Sequence, residues 1–130
     1  MHDYDFGPDN GAELSGRRPA LIISTDEFNQ AYNTALVLPA SRTMPAERYR
    51  NQQHVYITAT DSWASTRQIK TAHQSRLGSV MGQASPSELT GAIEPLARRF
   101  TTAHRLGFIL TSAGTFPIGA GRSGRSKLLR

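Results

Sequence analysis

A pair of arginines directly before a short apolar run is the feature of this sequence that best suits chemistry. Arg17, Arg18 and Pro19 precede residues 20–23, which are all apolar and are followed by a polar stretch. Such a run indicates a strand buried on both faces, with Arg18 at its entrance. A guanidinium there offers two parallel donors to a phosphate or a carboxylate. The alternative is an arginine pair that is simply solvated.

A polar segment later in the chain is predicted to be a strand. Residues 63–71 begin with two apolar residues and are mostly polar after them. As a strand, this segment places Gln68 and Lys70 on one face and Arg67 on the other, and its polar face suits the lining of a groove. The four histidines indicate no metal site, because no histidine pair has the spacing of a metal-ligand motif. Trp63 either stacks a base or, as the favoured alternative, packs in the core or in a dimer interface.

The elements that must position these residues are short. The predicted order is a strand ending at residues 4–6, an exposed loop at 7–16, the buried strand at 20–23, a helical turn or loop at 26–29, a strand at 34–39 with Ser41 at its exit, a mobile basic loop at 42–53, and strands at 54–59, 63–71 and 77–83. Glycines in the first loop allow close approach of the backbone to a ligand.

The clearest helix start is at Ser85. Ser85 suits the N-cap position, Pro86 the first helical position, and Glu88 completes a capping box. Four apolar side chains then recur at helical spacing and predict one face against the sheet: Leu89, Ile93, Leu96 and Phe100. Pro95 is expected off that face, where it kinks the helix or ends its regular part.

Length and composition limit the possible functions. The 130 residues suit one domain, expected at residues 1–106 and followed by a flexible basic tail rich in Gly, Ser and Arg at 107–130. The chain has no cysteine, which excludes disulfides, zinc-thiolate sites and cysteine nucleophiles. No apolar stretch is long enough to span a bilayer and no signal peptide is evident, so we expect a cytoplasmic protein. No residue pattern indicates a cofactor or a metal site, and we expect neither.

The positive charge is concentrated in the tail. The net charge is +5, but residues 1–111 hold 11 Lys and Arg against 10 Asp and Glu. Residues 112–130 add four basic residues and no acidic one. Any nucleic-acid surface on the folded domain must therefore be a local patch.

Several blocks of sequence, in a fixed order and spacing, carry a resemblance to a known family. The blocks are DFGP at residues 5–8, GAE at 11–13, GRRPALIIS at 16–24, DEFN at 26–29, VLPAS at 37–41, QIKT at 68–71, SRLG at 75–78 and SPSEL at 85–89. Over residues 5–100 the chain resembles the MazF/PemK (Kid) family of toxin endoribonucleases from type II toxin–antitoxin modules. No single block is specific, but their order over the whole domain is.

The resemblance implies a mainly β, α+β fold: a small SH3-like β-barrel with a C-terminal helix. It also implies a homodimer, a cognate antitoxin whose disordered tail occupies the RNA groove, and DNA binding as a further property. The implied reaction is metal-independent, sequence-specific cleavage of single-stranded RNA. In that reaction the 2′-hydroxyl attacks the adjacent phosphate and leaves a cyclic phosphate and a free 5′-hydroxyl, which requires a base, an acid and a cation.

Site residues follow from the same resemblance. Arg18 matches the family's arginine before the buried strand and is assigned to stabilise the transition-state charge. Ser41 lies where the family has a threonine or serine, and its hydroxyl either bonds the scissile phosphate or caps the strand. Glu13 matches a frequent family acid and is either the proton-transfer group or a solvated loop glutamate. The expected RNA-binding residues are Gly16, Arg17, Pro19, Arg67, Gln68 and Lys70.

Departures from the family pattern leave alternatives open. Arg67 stands where many members have Asp, Ser65 where some have Arg, and Ala12 where several have His or Ser. Family members also begin several residues earlier, so either the start codon is misassigned or the first strand is truncated and its edge is expected to be unpaired. A degenerate relative that binds RNA or antitoxin without cleavage is therefore the main alternative. A toxin of the same barrel class that inhibits DNA gyrase is the other.

Overall fold

The structure is a computed structural model that describes residues 1–8, 11, 13–50, 53–100 and 128–130. Its strands and helices, in chain order, are β1 (His2–Asp5), β2 (Arg17–Ile22), α1 (Asp26–Tyr32), β3 (Thr34–Ser41), β4 (His54–Ile57), β5 (Ser62–Ser65), β6 (Lys70–His73) and α2 (Pro86–Arg99). Single 3₁₀ turns cover Glu47–Tyr49, Thr58–Thr60 and Gln74–Arg76. The predicted class, mainly β with a C-terminal helix, is confirmed.

Strand β3 is the centre of one antiparallel sheet. It pairs with β2 through residues 37–39, with β6 through 34–37 and with β5 through 40–41. The remaining strands complete the order β1-β2-β3-β5-β4. Within the described residues β1 and β4 do not pair with each other, so this sheet is open and not the closed barrel that was expected.

The strand predicted over residues 63–71 is divided into β5 and β6. Ala40 opposes Ala64, whereas Val37 opposes Lys70. Three residues along β3 are therefore matched by six residues along the segment that contains β5 and β6, so three residues of that segment cannot pair with β3. This is why residues 66–69 turn between the two strands.

The outer edge of β1 is occupied by an irregular segment. Backbone N–H groups of Gly78 and Met81 donate to the carbonyls of Asp3 and Met1, at 2.6 and 2.8 Å. The predictions of an unpaired first edge and of a regular strand at 77–83 are both wrong. The backbone groups that a bare edge would expose are satisfied by this segment, which makes only one isolated β-bridge.

Helix α2 closes one face of the sheet. Ser85 is its N-cap, and the reciprocal hydrogen bonds between Ser85 and Glu88 confirm the capping box. Ala92 and Leu96 belong to a buried cluster with sheet residues, among them Leu21, Leu38, Ala40, Ile57 and Ala64. Within the described residues no helix is long and apolar enough to cross a membrane.

The buried stripe of α2 differs from the predicted one. Pro95 is buried and the helix continues beyond it to Arg99, whereas Ile93 is 39% and Phe100 62% exposed. Leu89, Ala92 and Leu96 at spacings of three and four form the inner stripe, which brings Pro95 to the same side. The expected position of Pro95 off the apolar face is therefore wrong.

The opposite face of the sheet has a smaller core and receives the end of the chain. This second cluster consists of Tyr4, Phe6, Ala20, Ile22, Ala35, Val37 and Ala72, with Leu77 and Leu128 packed against it. Arg130 pairs with Asp26 at 3.2 Å, and its carbonyl accepts a hydrogen bond from Ala84 N at 2.7 Å. Residues 101–127 lie outside the described residues, so the flexible tail at 107–130 and the domain boundary at 106 stay predictions.

Candidate active site

Arg18 is held by two backbone carbonyls. Its Nε donates to Ser15 O at 2.7 Å and its Nη1 donates to Ala40 O at 3.5 Å. The two contacts place the guanidinium between the 13–16 part of the first loop and the end of β3. Among the described residues Nη2 has no hydrogen-bond partner, so it can donate to an anion.

A cavity of about 280 Å³ adjoins this guanidinium. Its lining consists of Asp3, Arg17, Arg18, Pro19, Ala40, Ser41, Arg42 and Met81. Three of these residues are arginines and one is an acid, and the Asp3 carboxylate accepts from Arg17 Nε at 2.9 Å. The cavity is therefore positively charged in a domain whose charges nearly balance. Arg42 was missed as a site residue, although its place directly after Ser41 was the signal for it.

Ser41 lies at the end of β3, as predicted. Its Oγ accepts a hydrogen bond from Thr43 N at 3.1 Å, which is the strand-end contact considered for it. The hydroxyl proton is not used in that bond, and a hydroxyl can accept and donate at the same time. Capping the strand and contacting a phosphate are thus compatible roles for Ser41.

The first loop joins three of the predicted residues. Lys70 Nζ lies 3.5 Å from Glu13 Oε1, and Leu14 N donates to Gln68 Oε1 at 2.7 Å. The next residue, Ser15, is the one that holds Arg18. Glu13, Gln68 and Lys70 therefore meet on one stretch of loop that also fixes the arginine.

Gly16 closes this loop. It has a φ of +76°, donates from its N–H to Gly7 O at 2.8 Å and accepts from Phe6 N at 3.0 Å. A side chain is disfavoured at that φ, so glycine is required here by backbone geometry alone. Ala12, in the same loop, lies outside the described residues.

Arg67 is not brought to the Arg18 cavity. It lines a second cavity of about 270 Å³, together with Gln53, Thr66, Ile69, Leu96, Arg99 and Phe100. Its charge also contributes to the low pKa of His54, which is lowered first by burial and is partly restored by a hydrogen bond to Tyr49 O. Arg67 thus borders a different cavity, and the structure does not bring it to the other candidate residues.

Strand pairing places two aromatic residues beside Ser41. Trp63 is the cross-strand partner of Ser41, and Tyr56 is the cross-strand partner of Trp63. Trp63 is half-buried and Tyr56 is 39% exposed, with ring centroids 5.2 Å apart. Trp63 is therefore not a core residue, which was one of the alternatives for it.

Comparison with known proteins identifies the family of this chain. Residues 4–98 match the model of the PemK-like, MazF-like toxins of type II toxin-antitoxin systems. The chain belongs to this toxin family. A direct search of curated protein sequences finds no match.

Solved structures of MazF toxins share the fold. MazF from Deinococcus radiodurans (Form-I) superposes with a TM-score of 0.63 at 20% identity, over 75% of this chain and 90% of that one. A mycobacterial endoribonuclease in complex with its cognate antitoxin gives 0.59 at 19% identity, over 75% and 86%. The Mycobacterium tuberculosis toxin MazF-mt6 gives 0.55 at 18% identity, over 75% and 94%. At such identities the likeness concerns the fold of a MazF-like toxin and not the details of its site.

Proposed function

We propose that this MazF-like toxin is a metal-independent endoribonuclease that cleaves single-stranded RNA at a short sequence. The observation that supports it best is the Arg18 guanidinium, held by Ser15 O and Ala40 O with Nη2 directed to no acceptor in the described part of the chain. Arg17, Arg42 and Ser41 border the same cavity. Together they supply the local positive charge and hydroxyl that a phosphodiester needs.

The proposed reaction is internal transesterification. The 2′-oxygen attacks the adjacent phosphorus, the bond from phosphorus to the 5′-oxygen breaks, and the products are a 2′,3′-cyclic phosphate and a 5′-hydroxyl. One proton leaves the 2′-hydroxyl and one joins the departing 5′-oxygen. Negative charge grows on the non-bridging oxygens, and a fixed cation lowers the barrier most when it faces that charge.

We assign a role to each of three residues in this reaction. Arg18 stabilises the phosphorane charge through its terminal N–H groups. Ser41 donates its hydroxyl proton to a phosphate oxygen while Thr43 N still donates to its Oγ. Glu13 transfers protons, and its Oε1 lies 3.5 Å from Lys70 Nζ. Arg17, Pro19, Arg42, Gln68 and Lys70 bind the RNA around them, and Gly16 shapes the loop.

The partners follow from the toxin family. We propose a cognate antitoxin, in keeping with neighbours solved as MazE–MazF from Deinococcus radiodurans and as an endoribonuclease with its antitoxin. A homodimer and a cytoplasmic location belong to the same proposal. These neighbours are a ribonuclease bound to its antitoxin and a MazE–MazF complex, and they give no support to DNA binding.

The decisive experiment measures cleavage of single-stranded RNA by the purified chain in EDTA. We expect Arg18→Ala to lower the rate roughly 100- to 1,000-fold, as for loss of one preorganised transition-state donor. Arg98→Ala is the matched control, because Arg98 is exposed and, among the described residues, its ion pair is with Glu94 on the surface of α2. Full activity of the Arg18 variant would refute the role of Arg18. If the wild type, freed of any bound antitoxin, does not cleave RNA in EDTA, the proposed function is refuted.

A toxin relative that binds RNA or antitoxin without cutting is the second candidate. It is favoured by the position of Arg67 in the second cavity and by the pairing of the Glu13 carboxylate with Lys70. Under this hypothesis the chain binds RNA with a steep salt dependence and leaves it intact after long incubation. Product analysis on a gel separates the two candidates, because only cleavage leaves a cyclic phosphate end.

A further inference from the structure

The sheet carries a continuous row of side chains from the arginine to two aromatic rings. Tyr56 opposes Trp63 and Trp63 opposes Ser41 in adjacent strand pairs. Residues directly opposite in an antiparallel pair point to the same face, with Cβ atoms about 4.5–5.5 Å apart. Ser41 and Trp63 are therefore immediate neighbours on the face opposite α2, outside the smaller core; this part of the sheet is called the open face.

Arg18 belongs to the same face. Ala20 opposes Pro39, and both Arg18 and Ser41 lie two residues away from that pair along their strands. Since side chains two apart on a strand share a face, Arg18, Ser41 and Trp63 are aligned across three strands. The opposite face of these strands is the one that α2 covers.

The aromatic pair is held in a geometry that leaves a ring accessible. The Tyr56 and Trp63 rings are tilted by 58° with centroids 5.2 Å apart, so they do not cover each other as parallel rings would. Tyr56 OH donates to Asp61 Oδ1 at 2.6 Å, which fixes the phenol ring as a support. Trp63 is only half-buried although it lies within a strand that has partners on both sides.

From this row we infer that Trp63, supported by Tyr56, is a stacking subsite for an RNA base next to the phosphate that Arg18 and Ser41 bind. Indole rings stack on every type of base, because each base has a π face. Charge sets the direction of the nucleotide. Arg18 and Arg42 attract the phosphate at one end of the row, and the Asp61 carboxylate repels it at the other.

This inference rests on the proposed RNA-cleaving function and is tested separately from it. Trp63 is the only tryptophan in the chain, so its intrinsic fluorescence reports this position alone. The probe is a single-stranded hexanucleotide with 2′-O-methyl riboses, which lacks the attacking hydroxyl and stays intact. We expect binding to quench the Trp63 emission, and an abasic nucleotide at one position of the probe to abolish the quenching.

Variants test the same subsite without relying on emission. Trp63→Leu is expected to weaken probe binding roughly 5- to 150-fold, the range for loss of one stacked base, and Trp63→Phe to weaken it less. Tyr32→Leu is the matched control, because Tyr32 is a 66% exposed aromatic residue on α1. If Trp63→Leu does not fold, the wild-type quenching and the Trp63→Phe affinity still decide.

The outcomes separate the two proposals. Unchanged emission, together with an affinity of Trp63→Phe and Trp63→Leu within twofold of wild type, overturns the stacking subsite even if the chain cuts RNA. Quenching with intact unmodified RNA supports the subsite and refutes cleavage. Conversion of a dimer to a monomer by Trp63→Leu in sedimentation, with probe affinity per subunit unchanged, assigns the ring to a subunit interface and overturns the inference.

Discussion

One face of the sheet is closed by helix α2, whereas the opposite face has a smaller core and, outside it, a row of polar and aromatic side chains. The same strands supply both faces: Ala40 belongs to the buried cluster under the helix, whereas its neighbour Ser41 pairs with Trp63 on the other face. Ala64 and Trp63 divide in the same way on β5. Because side chains alternate along a strand, a one-residue change in register would exchange the core for the candidate site.

The largest effect expected from this division is on stability. Leu38 is fully buried on the helix-covered face, and Leu38→Ala should lower the free energy of unfolding by about 2–5 kcal/mol through the lost burial and the cavity left behind. Ser41→Ala, on the open face, should cost about 1 kcal/mol or less. Urea denaturation measures both. Equal losses from the two variants would contradict the division of the faces.

The sequence predicts local features of this molecule better than its distant contacts. The Ser85 N-cap and Glu88 depend on residues three apart and were predicted correctly. The stripe on α2 was assigned to Leu89, Ile93, Leu96 and Phe100 because these apolar residues recur at helical spacing, but Ile93 and Phe100 are exposed. Only packing against the sheet shows which stripe is buried.

Contacts between distant parts of the chain explain the remaining errors. The segment that covers the edge of β1 reaches it from about 75 residues away, as in the bond from Gly78 N to Asp3 O. The candidate site has the same character, since Leu14 and Gln68 are separated by 54 residues. The types of Arg18, Ser41 and Lys70 were evident in the sequence, whereas the shared loop that joins them and the alignment of Trp63 with Ser41 required the strand registers.

Arg17 and Arg18 are adjacent in β2 but are expected to contribute differently to RNA cleavage. The side chain of Arg17 alternates with that of Arg18 along β2 and binds Asp3, so Arg17 borders the charged cavity from the Asp3 side. We expect Arg17→Ala to reduce RNA affinity about tenfold or less and to lower the salt dependence by about one phosphate contact, without loss of the maximal cleavage rate. Single-turnover cleavage at several salt concentrations measures both. A loss of maximal rate as large as that of Arg18→Ala would show that the two arginines act together.

Glu88 links the closing helix to the sheet and provides a smaller effect. Its carboxylate accepts from Ser85 N at 2.9 Å and from Thr58 N at 3.0 Å. Burial opposes ionisation, but these hydrogen bonds outweigh it and lower the pKa of Glu88. Glu88→Ala should destabilise the fold by about 1 kcal/mol, and Glu88→Gln less, because an amide can still accept from Ser85 N. Thermal melting of both variants at neutral pH tests this, and equal melting temperatures for Glu88→Ala and wild type would contradict it.

The smallest effect concerns His54 at the start of β4, two residues from Tyr56 on the open face. Burial and the nearby Arg67 lower its pKa from 6.5, against a hydrogen bond to Tyr49 O that raises it. The unfolded chain then binds a proton more readily than the folded one, so the stabilisation is present above pH 6.5 and is lost as the pH falls toward the lower folded value. Because solvent screens this partly exposed group, we expect its contribution to the free energy of unfolding to be less than about 1 kcal/mol. Urea denaturation between pH 5 and 8 should show a smaller pH dependence for His54→Gln than for wild type, whereas an identical pH dependence would mean that His54 does not contribute to it.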